Sequence, residues 1–133
     1  MELRVFSLHE HPEYLEACAM LMNEEWPRSH TARLHSLEKS CATLPYNIVL
    51  VETASSPPDV LAHSRITVVI GVSSACFVES VVVKKSRRGE GLGKIIMHHT
   101  EELAKGLGFE VMYLTTQTSK DSTAILGTNS ANL

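Results

Sequence analysis

The stretch from Val81 to Lys105 constrains the fold most, because the spacing of its apolar residues changes within it. It opens with three consecutive valines, Val81 to Val83, which are typical of a buried strand. The apolar residues that follow recur at the 3.6-residue spacing of an amphipathic helix, which we expect from Gly91 to Lys105. Glycines fill the junction, where the chain must turn sharply. The pattern predicts a strand, a glycine-rich turn and a helix in direct succession.

The elements around this unit predict one α/β (α+β) domain. We expect strands over 3–8, 46–52, 60–70, 77–83 and 109–115, and helices over 12–25, 29–44 and 91–105. The middle strands form an antiparallel meander, whereas the strand after the last helix is parallel to the valines through a right-handed crossover. The polar residues 117–133 predict a tail with little order.

Composition excludes several classes of protein. The chain has 133 residues, of which 44% are hydrophobic and 20% charged, as expected of one globular domain. Its longest apolar run, Val68 to Val78, is shorter than the ~20 residues of a membrane helix. The charged start does not resemble a secretion signal, and Cys18, Cys41 and Cys76 lack the spacing of a disulfide framework or zinc knuckle. We expect a reduced, cytoplasmic protein without a metal site.

Positive charge is concentrated in the glycine-rich turn. Residues 84–94 hold five cations and one acid, a net charge of +4, although the whole chain carries −3. Such an island on an acidic protein predicts one bound anion rather than a nucleic-acid or membrane surface, and the plain alternative is a solvated basic loop. Glycines favour the anion, because backbone N–H groups and the positive end of the helix dipole converge there.

Two common nucleotide-binding motifs do not fit this turn. A Walker loop requires Ser or Thr after its Gly-Lys pair, but Ile95 follows Lys94. The dinucleotide motif Gly-x-Gly-x-x-Gly would place its third glycine on Lys94 or on Ile96. The turn therefore predicts a different phosphate-bearing ligand.

The pattern that fits is Arg88-x-x-Gly91-x-Gly93 between the strand and the helix. This arrangement resembles the acetyl-CoA-binding core of the GNAT acetyltransferase superfamily. The resemblance implies a mixed sheet with helices on both faces over residues 1–116, with residues 117–133 as the tail. It also implies that the turn amides hold the pyrophosphate and that the valine strand edge pairs with the pantetheine arm. The implied cofactor-binding residues are Val81, Val82, Val83, Arg88, Gly89, Glu90, Gly91, Leu92, Gly93 and Lys94.

The segment 26–37, Trp-Pro-Arg-Ser-His-Thr-Ala-Arg-Leu-His-Ser-Leu, contains two arginines, two histidines and no acid. In the superfamily this segment lines the acceptor pocket, so its charge predicts a negatively charged acceptor. It is similar to the acetyltransferases that modify the acidic N-terminus of processed actin. By that resemblance Arg33, followed by Arg28, pairs with the acceptor carboxylates, and the full contact set is Trp26, Arg28, Thr31, Ala32, Arg33 and Leu34. The alternative is that the arginines are surface helix residues and Trp26 a core side chain.

Acyl transfer to an amine needs a base, an oxyanion donor and a proton for the leaving thiolate. We predict Glu79 on the same strand face as Val81 and Val83, where it acts as base through water or forms an ion pair with Arg65. The N–H of Val81 or Val82 is the predicted oxyanion donor.

The end of the chain departs from the superfamily pattern. Relatives supply a tyrosine after the fifth strand, whereas this chain has no tyrosine beyond Thr116. The sequence therefore predicts that the final helix and strand are missing and that the fifth strand is an exposed edge. Two functions follow: a monomeric acetyltransferase acting on an acidic protein N-terminus, or a non-catalytic acyl-CoA-binding remnant or truncated isoform.

Overall fold

A computed structural model describes residues 2–115 and 122–126. Its described strands form one sheet in the order β1-β2-β3-β4-β5-β6. The pairs from β1 to β4 are antiparallel, β4 and β5 are parallel, and β5 and β6 are antiparallel. The elements are β1 (Leu3–Ser7), α1 (Leu15–Glu25), α2 (His30–Leu37), β2 (Tyr46–Glu52), β3 (Asp59–Val69), β4 (Val72–Val83), α3 (Leu92–Gly106), β5 (Val111–Thr115) and β6 (Ser122–Leu126).

Helices cover both faces of the sheet, as predicted. On β2, Val49 and Val51 pack in the cluster that contains the buried residues of α1 and α2. Their neighbours Ile48 and Leu50 face the other way, into the cluster that includes Ile96 of α3. Side chains alternate along a strand, so β2 is buried on both faces and reads as a continuous apolar run. The predicted mixed sheet with its parallel β4–β5 crossover is confirmed.

Two element boundaries differ from the prediction by five residues or more. Helix α2 ends at Leu37 and not at 44, since apolar residues at helical spacing stop there and turns follow. Strand β4 begins at Val72 and not at 77. The hairpin needs only a two-residue connection, because Gly71 has a φ of +83°, which glycine adopts without steric cost.

The structure also corrects the prediction that no strand follows β5. Residues Ser122–Leu126 form β6, whose backbone pairs with β5 from Met112 to Thr115. An unpaired strand edge exposes a row of N–H and C=O groups, and this pairing satisfies those of β5. The short apolar group 124–126 of the otherwise polar tail falls in this strand. The predicted lack of order elsewhere in 117–133, and the missing helix, concern residues outside those that the structure describes.

Truncating Ile96 tests how α3 is held on the sheet. Ile96 is fully buried among Ile48, Leu61 and Leu92, so Ile96→Ala should lower the free energy of unfolding by about 3 kcal/mol, as measured by urea denaturation. The exposed His98 on the same helix is the control, and His98→Ala should change stability by less than about 0.5 kcal/mol. Equal effects of the two substitutions would contradict this packing.

Candidate functional site

The glycine-rich turn has a backbone that only glycine adopts readily. Gly89 and Gly91 have φ angles of +89° and +82°, in the left-handed region. A Cβ added at either position would meet no atom within 4 Å, so the space beside the turn is open. Helix α3 begins immediately afterwards, with Gly91 as its N-cap and without a side-chain cap. Its first N–H groups have no carbonyl partner within the helix and can bind an anion.

A cleft of about 430 Å³ lies between this turn and the end of β4. Nine of the ten predicted cofactor residues line it. The exception is Glu90, whose carboxylate lies 3.0 Å from Arg87 Nη2. The sequence prediction missed two residues that do line the cleft, Arg87 and Glu25. The lining consists of Glu25, Val81, Val82, Val83, Arg87, Arg88, Gly89, Gly91, Leu92, Gly93 and Lys94.

Acids from distant parts of the chain neutralise much of the positive island. Arg88 Nη2 lies 3.0 Å from Glu25 Oε2, and Arg88 Nε donates a hydrogen bond to the Val83 carbonyl at 3.1 Å. Two further ion pairs join Lys84 to Asp59 at 2.8 Å and Arg87 to Glu52 at 3.3 Å. Since these acids lie between 25 and 63 residues away in sequence, no local pattern could have predicted the pairs.

The edge of β4 extends past its parallel neighbour at this cleft. Pairing with β5 spans Ala75 to Val78 of β4. Within the described residues, the three valines 81–83 therefore lie beyond the end of the β4–β5 register. This is the edge on which the resemblance places the pantetheine arm.

A β-bulge interrupts β4 just before the valines. His63 pairs with Val82 and Arg65 with Glu79, so two residues of β4 oppose the single Ser64 of β3. The bulge reverses side-chain alternation, and Glu79 shares a face with Val82. The prediction that Glu79 lies on the face of Val81 and Val83 is therefore wrong. Ser80 accounts for the reversal, because it adopts a left-handed φ of +54° although it is not a glycine. No feature of the local sequence predicts this conformation.

A second cleft, of about 460 Å³, adjoins the bulge on the face covered by α1 and α2. It brings together three of the predicted acceptor residues, Trp26, Arg28 and Arg33. The other three lie outside its lining: Thr31 is exposed, Ala32 is half-buried, and Leu34 packs against the core. The lining consists of Glu25, Trp26, Pro27, Arg28, Arg33, Arg65 and Ser80, and Glu25 borders both clefts.

Three arginines make the second cleft electropositive. Arg33 is buried, where it donates from Nε to Asn23 Oδ1 at 3.0 Å and from Nη2 to the Trp26 carbonyl. Burial, and then the nearby charge of Arg28, lower the pKa of Arg33. Burial also lowers the pKa of Arg65, against the opposing effect of Glu79 at 3.7 Å. Arginines remain charged despite such shifts, so this cleft favours an anion. The sequence prediction had not placed Arg65 in the acceptor site.

The comparison with known families decides the identity. The family described as Acetyltransferase (GNAT) matches residues 9–125. This chain belongs to the GNAT acetyltransferase family. The predictions of the GNAT family and of its fold are thereby confirmed.

Individual relatives agree with this assignment. N-alpha-acetyltransferase 80 of Mus musculus is 39% identical over 108 residues, which are 79% of this chain and 34% of that protein. The chain therefore spans about a third of the length of this relative. An aminoglycoside 6'-N-acetyltransferase complexed with coenzyme A superposes with a TM-score of 0.69 at 18% identity, covering 87% of this chain and 62% of that one. Glucosamine-6-phosphate N-acetyltransferase from Arabidopsis thaliana gives 0.66 at 16% identity, covering 88% and 84%. These two likenesses establish the fold.

The first cleft of this GNAT domain fits acetyl-CoA. Its open glycine turn at a helix N-terminus suits a diphosphate, and its β4 edge lies past the β5 register. Cys18 and Cys76 line neither cleft, and burial raises the pKa of Cys18 to about 12 and that of Cys76 to about 11. Neither cleft is lined by a tyrosine among the described residues. Across the same described residues, no group of three or more His, Cys, Asp or Glu side chains could hold a metal ion. No helix among them is long and apolar enough to cross a membrane.

Replacing Gly91 tests the diphosphate cradle. Gly91→Val introduces a branched side chain at a φ of +82° beside the open space, and should weaken CoA binding at least tenfold in calorimetry. Gly71→Val is the matched control, because Gly71 has a φ of +83° and an equally open Cβ position in the β3–β4 hairpin, away from the cleft. Its CoA affinity should match that of the unmodified chain. A similar loss in both variants would attribute the effect to strain and not to the cradle.

Proposed function

We propose that this chain transfers the acetyl group of acetyl-CoA to the α-amine of an acidic protein N-terminus, with processed actin as the acceptor. The proposal rests on one observation: two chemically different clefts lie next to each other at the β4 bulge. One cleft contains the glycine turn, and the other contains Arg28, Arg33 and Arg65. Ser80 lines the arginine cleft and Val81 lines the glycine cleft, so a thioester and an amine bound in the two would meet at adjacent residues.

The charge of the second cleft supports an acidic acceptor. Its three arginines have two acids nearby: Glu79, whose carboxylate lies 3.7 Å from Arg65, and Glu25, which lines the cleft but is paired with Arg88. A peptide that begins with several aspartates or glutamates supplies the missing negative charge, and bidentate arginine–carboxylate pairs fix its orientation. The 39% sequence identity to N-alpha-acetyltransferase 80 supports an N-terminal amine as the acceptor. Actin itself is proposed from the resemblance of segment 26–37.

Acetyl-CoA supplies an activated acetyl thioester when bound. The transfer forms an amide C–N bond and breaks the thioester C–S bond. The acceptor ammonium loses two protons overall, of which one ends on the CoA thiol and the other is released. The N–H of Val81 or of Val82 stabilises the negative charge that develops on the thioester oxygen, as fixed backbone donors do in other acyl transfers.

Glu79 is the proposed base, acting through water. Glu79 lies on the same face of β4 as Val82. Its partner on β3, Arg65, lines the arginine cleft on that face. The side chain is 38% exposed, and at 3.7 Å its contact with Arg65 is long for an ion pair, which favours a carboxylate open to water. The competing role is a purely structural ion pair with Arg65.

A second function, acyl-CoA binding without turnover, is favoured by one observation. Within the part of the chain that the structure describes, neither cleft is lined by a tyrosine, cysteine or histidine that could return a proton to the thiolate. Both functions share CoA binding. They differ only in whether CoA is released in the presence of an acceptor.

Acceptor charge distinguishes the two functions. With acetyl-CoA, peptides beginning Asp-Asp-Asp or Glu-Glu-Glu should release CoA saturably, whereas a peptide beginning Ala-Ala-Ala should react at least tenfold more slowly at equal concentration. Thiol detection and the peptide's mass gain measure the reaction. CoA binding without product from any peptide would support the non-catalytic function.

An arginine substitution tests the acceptor cleft. Arg28 is exposed at its rim, so Arg28→Gln should lower kcat/KM for the acidic peptide about tenfold with little effect on the Ala-Ala-Ala peptide. Lys39→Gln removes an exposed charge just after α2, outside this lining, and is the matched control. Equal losses for both variants would indicate a general effect of protein charge and not a specific acceptor site.

A further inference from the structure

We propose that His63 is a positioning residue for acetyl transfer: it holds the β4 bulge through the Ser80 carbonyl and so fixes the direction of the Val81 and Val82 amides. The inference rests on the proposed function and deepens it. His63 touches neither cleft, so it acts only through the backbone of β4.

The bulge needs a restraint. Ser80 has a left-handed φ of +54°, which is strained for a residue with a side chain. Together with Val81 it opposes the single Ser64, so β4 could relax by returning to regular pairing. Such a relaxation would turn the Val81 and Val82 amides by restoring the ordinary alternation. Any group that anchors the Ser80 peptide therefore controls where these donors point.

His63 supplies that anchor from the neighbouring strand. It is fully buried, and its Nδ1 lies 2.8 Å from the Ser80 carbonyl oxygen. Its other nitrogen, Nε2, lies 2.7 Å from Asn47 Oδ1 on β2. The imidazole thus joins three adjacent strands at the level of the bulge.

The two imidazole nitrogens each face an oxygen atom, and the charge state of the ring decides whether one nitrogen or both carry a proton. Burial, with smaller effects of Arg65 and Arg33, lowers the pKa of His63 to about 3, against the opposing hydrogen bond to Ser80. The charged groups around it are these two arginines and, beyond Arg65, Glu79. A neutral imidazole has a single N–H.

That N–H belongs on Nδ1. The Ser80 carbonyl can only accept a hydrogen bond, so the 2.8 Å contact requires the proton on Nδ1. A bare Nε2 is an acceptor and needs a donor. Turning the Asn47 amide over supplies one, because Nδ2 is buried and otherwise has no hydrogen-bond partner among the described residues; this orientation gives up the contact of Oδ1 with Arg65 Nε. His63 is thus a neutral donor to the bulge across the physiological pH range.

Two variants separate anchoring from bulk. Asn places an amide N–H near the position of Nδ1, whereas Gln places one near Nε2. His63→Asn should keep kcat within about threefold of the unmodified chain, and His63→Gln should lower kcat at least tenfold. CoA affinity should stay within about threefold in both, since the glycine turn is unchanged. Equal losses of kcat in the two variants would overturn the proposal.

The tautomer is a direct measurement that needs no turnover. In the unmodified chain, ¹⁵N NMR of the imidazole should report protonated Nδ1 and bare Nε2 throughout pH 5–8. Protonated Nε2, or titration of His63 within that range, would overturn the anchor even if acetyl transfer is confirmed. If the unmodified chain fails to acetylate any peptide but shows the Nδ1–H tautomer, the proposed function fails while the anchor stands.

The free energy of unfolding of the chain should depend on the protonation state of His63. Unfolded His63 takes up a proton below about pH 6.5, but the folded residue resists it until about pH 3, so stability is lost as pH falls through this window. Relative to His63→Asn, the unfolding equilibrium constant of the unmodified chain should rise up to about tenfold per pH unit below pH 6. Urea denaturation at pH 7, 6 and 5 measures it. Parallel pH profiles for both chains would contradict a buried neutral His63.

Discussion

The site depends on one backbone distortion, the left-handed Ser80 that gives β4 one more residue than β3 opposite it. Before the bulge, β4 is bonded to β5 on one side and β3 on the other. After it, the valines lie past the β5 register with their alternation reversed. Val82 therefore packs with α1 and α2, while Val81 and Val83 pack with α3. The same step separates the two clefts and leaves them adjacent.

Electrostatics differ sharply between the clefts. Around the glycine turn, Arg87 and Arg88 are paired with Glu52 and Glu25, so the attraction for a diphosphate comes largely from backbone amides and the helix N-terminus. In the other cleft Arg33 is tied to Asn23 and to a carbonyl, which satisfies hydrogen bonds without neutralising its charge. Hence the second cleft retains net positive charge, although the whole chain carries −3.

The sequence predicted the strand–turn–helix unit well, because its signals are local. The period change and the glycines at 89 and 91 depend on neighbours within a few residues, and the structure confirms the strand, the turn and α3. Nine of the ten residues predicted around the cofactor line one cleft for the same reason. The predicted acceptor residues agree less well with the structure. Only Trp26, Arg28 and Arg33 line the second cleft, because helix α2 directs Thr31, Ala32 and Leu34 away from it.

The sequence by itself determined the strand–turn–helix unit and the place of its glycine turn, since hydrophobic period and φ preference are properties of short segments. The resemblance of that unit to a known family then predicted the GNAT fold. Only the tertiary structure decided on which face of β4 Glu79 lies and that Arg65 lines the second cleft. It also decided the ion pair between Arg88 and Glu25. Each of these depends on strand register or on residues far apart in the chain. A one-residue slip in register sends a side chain to the opposite face, and no local pattern records it.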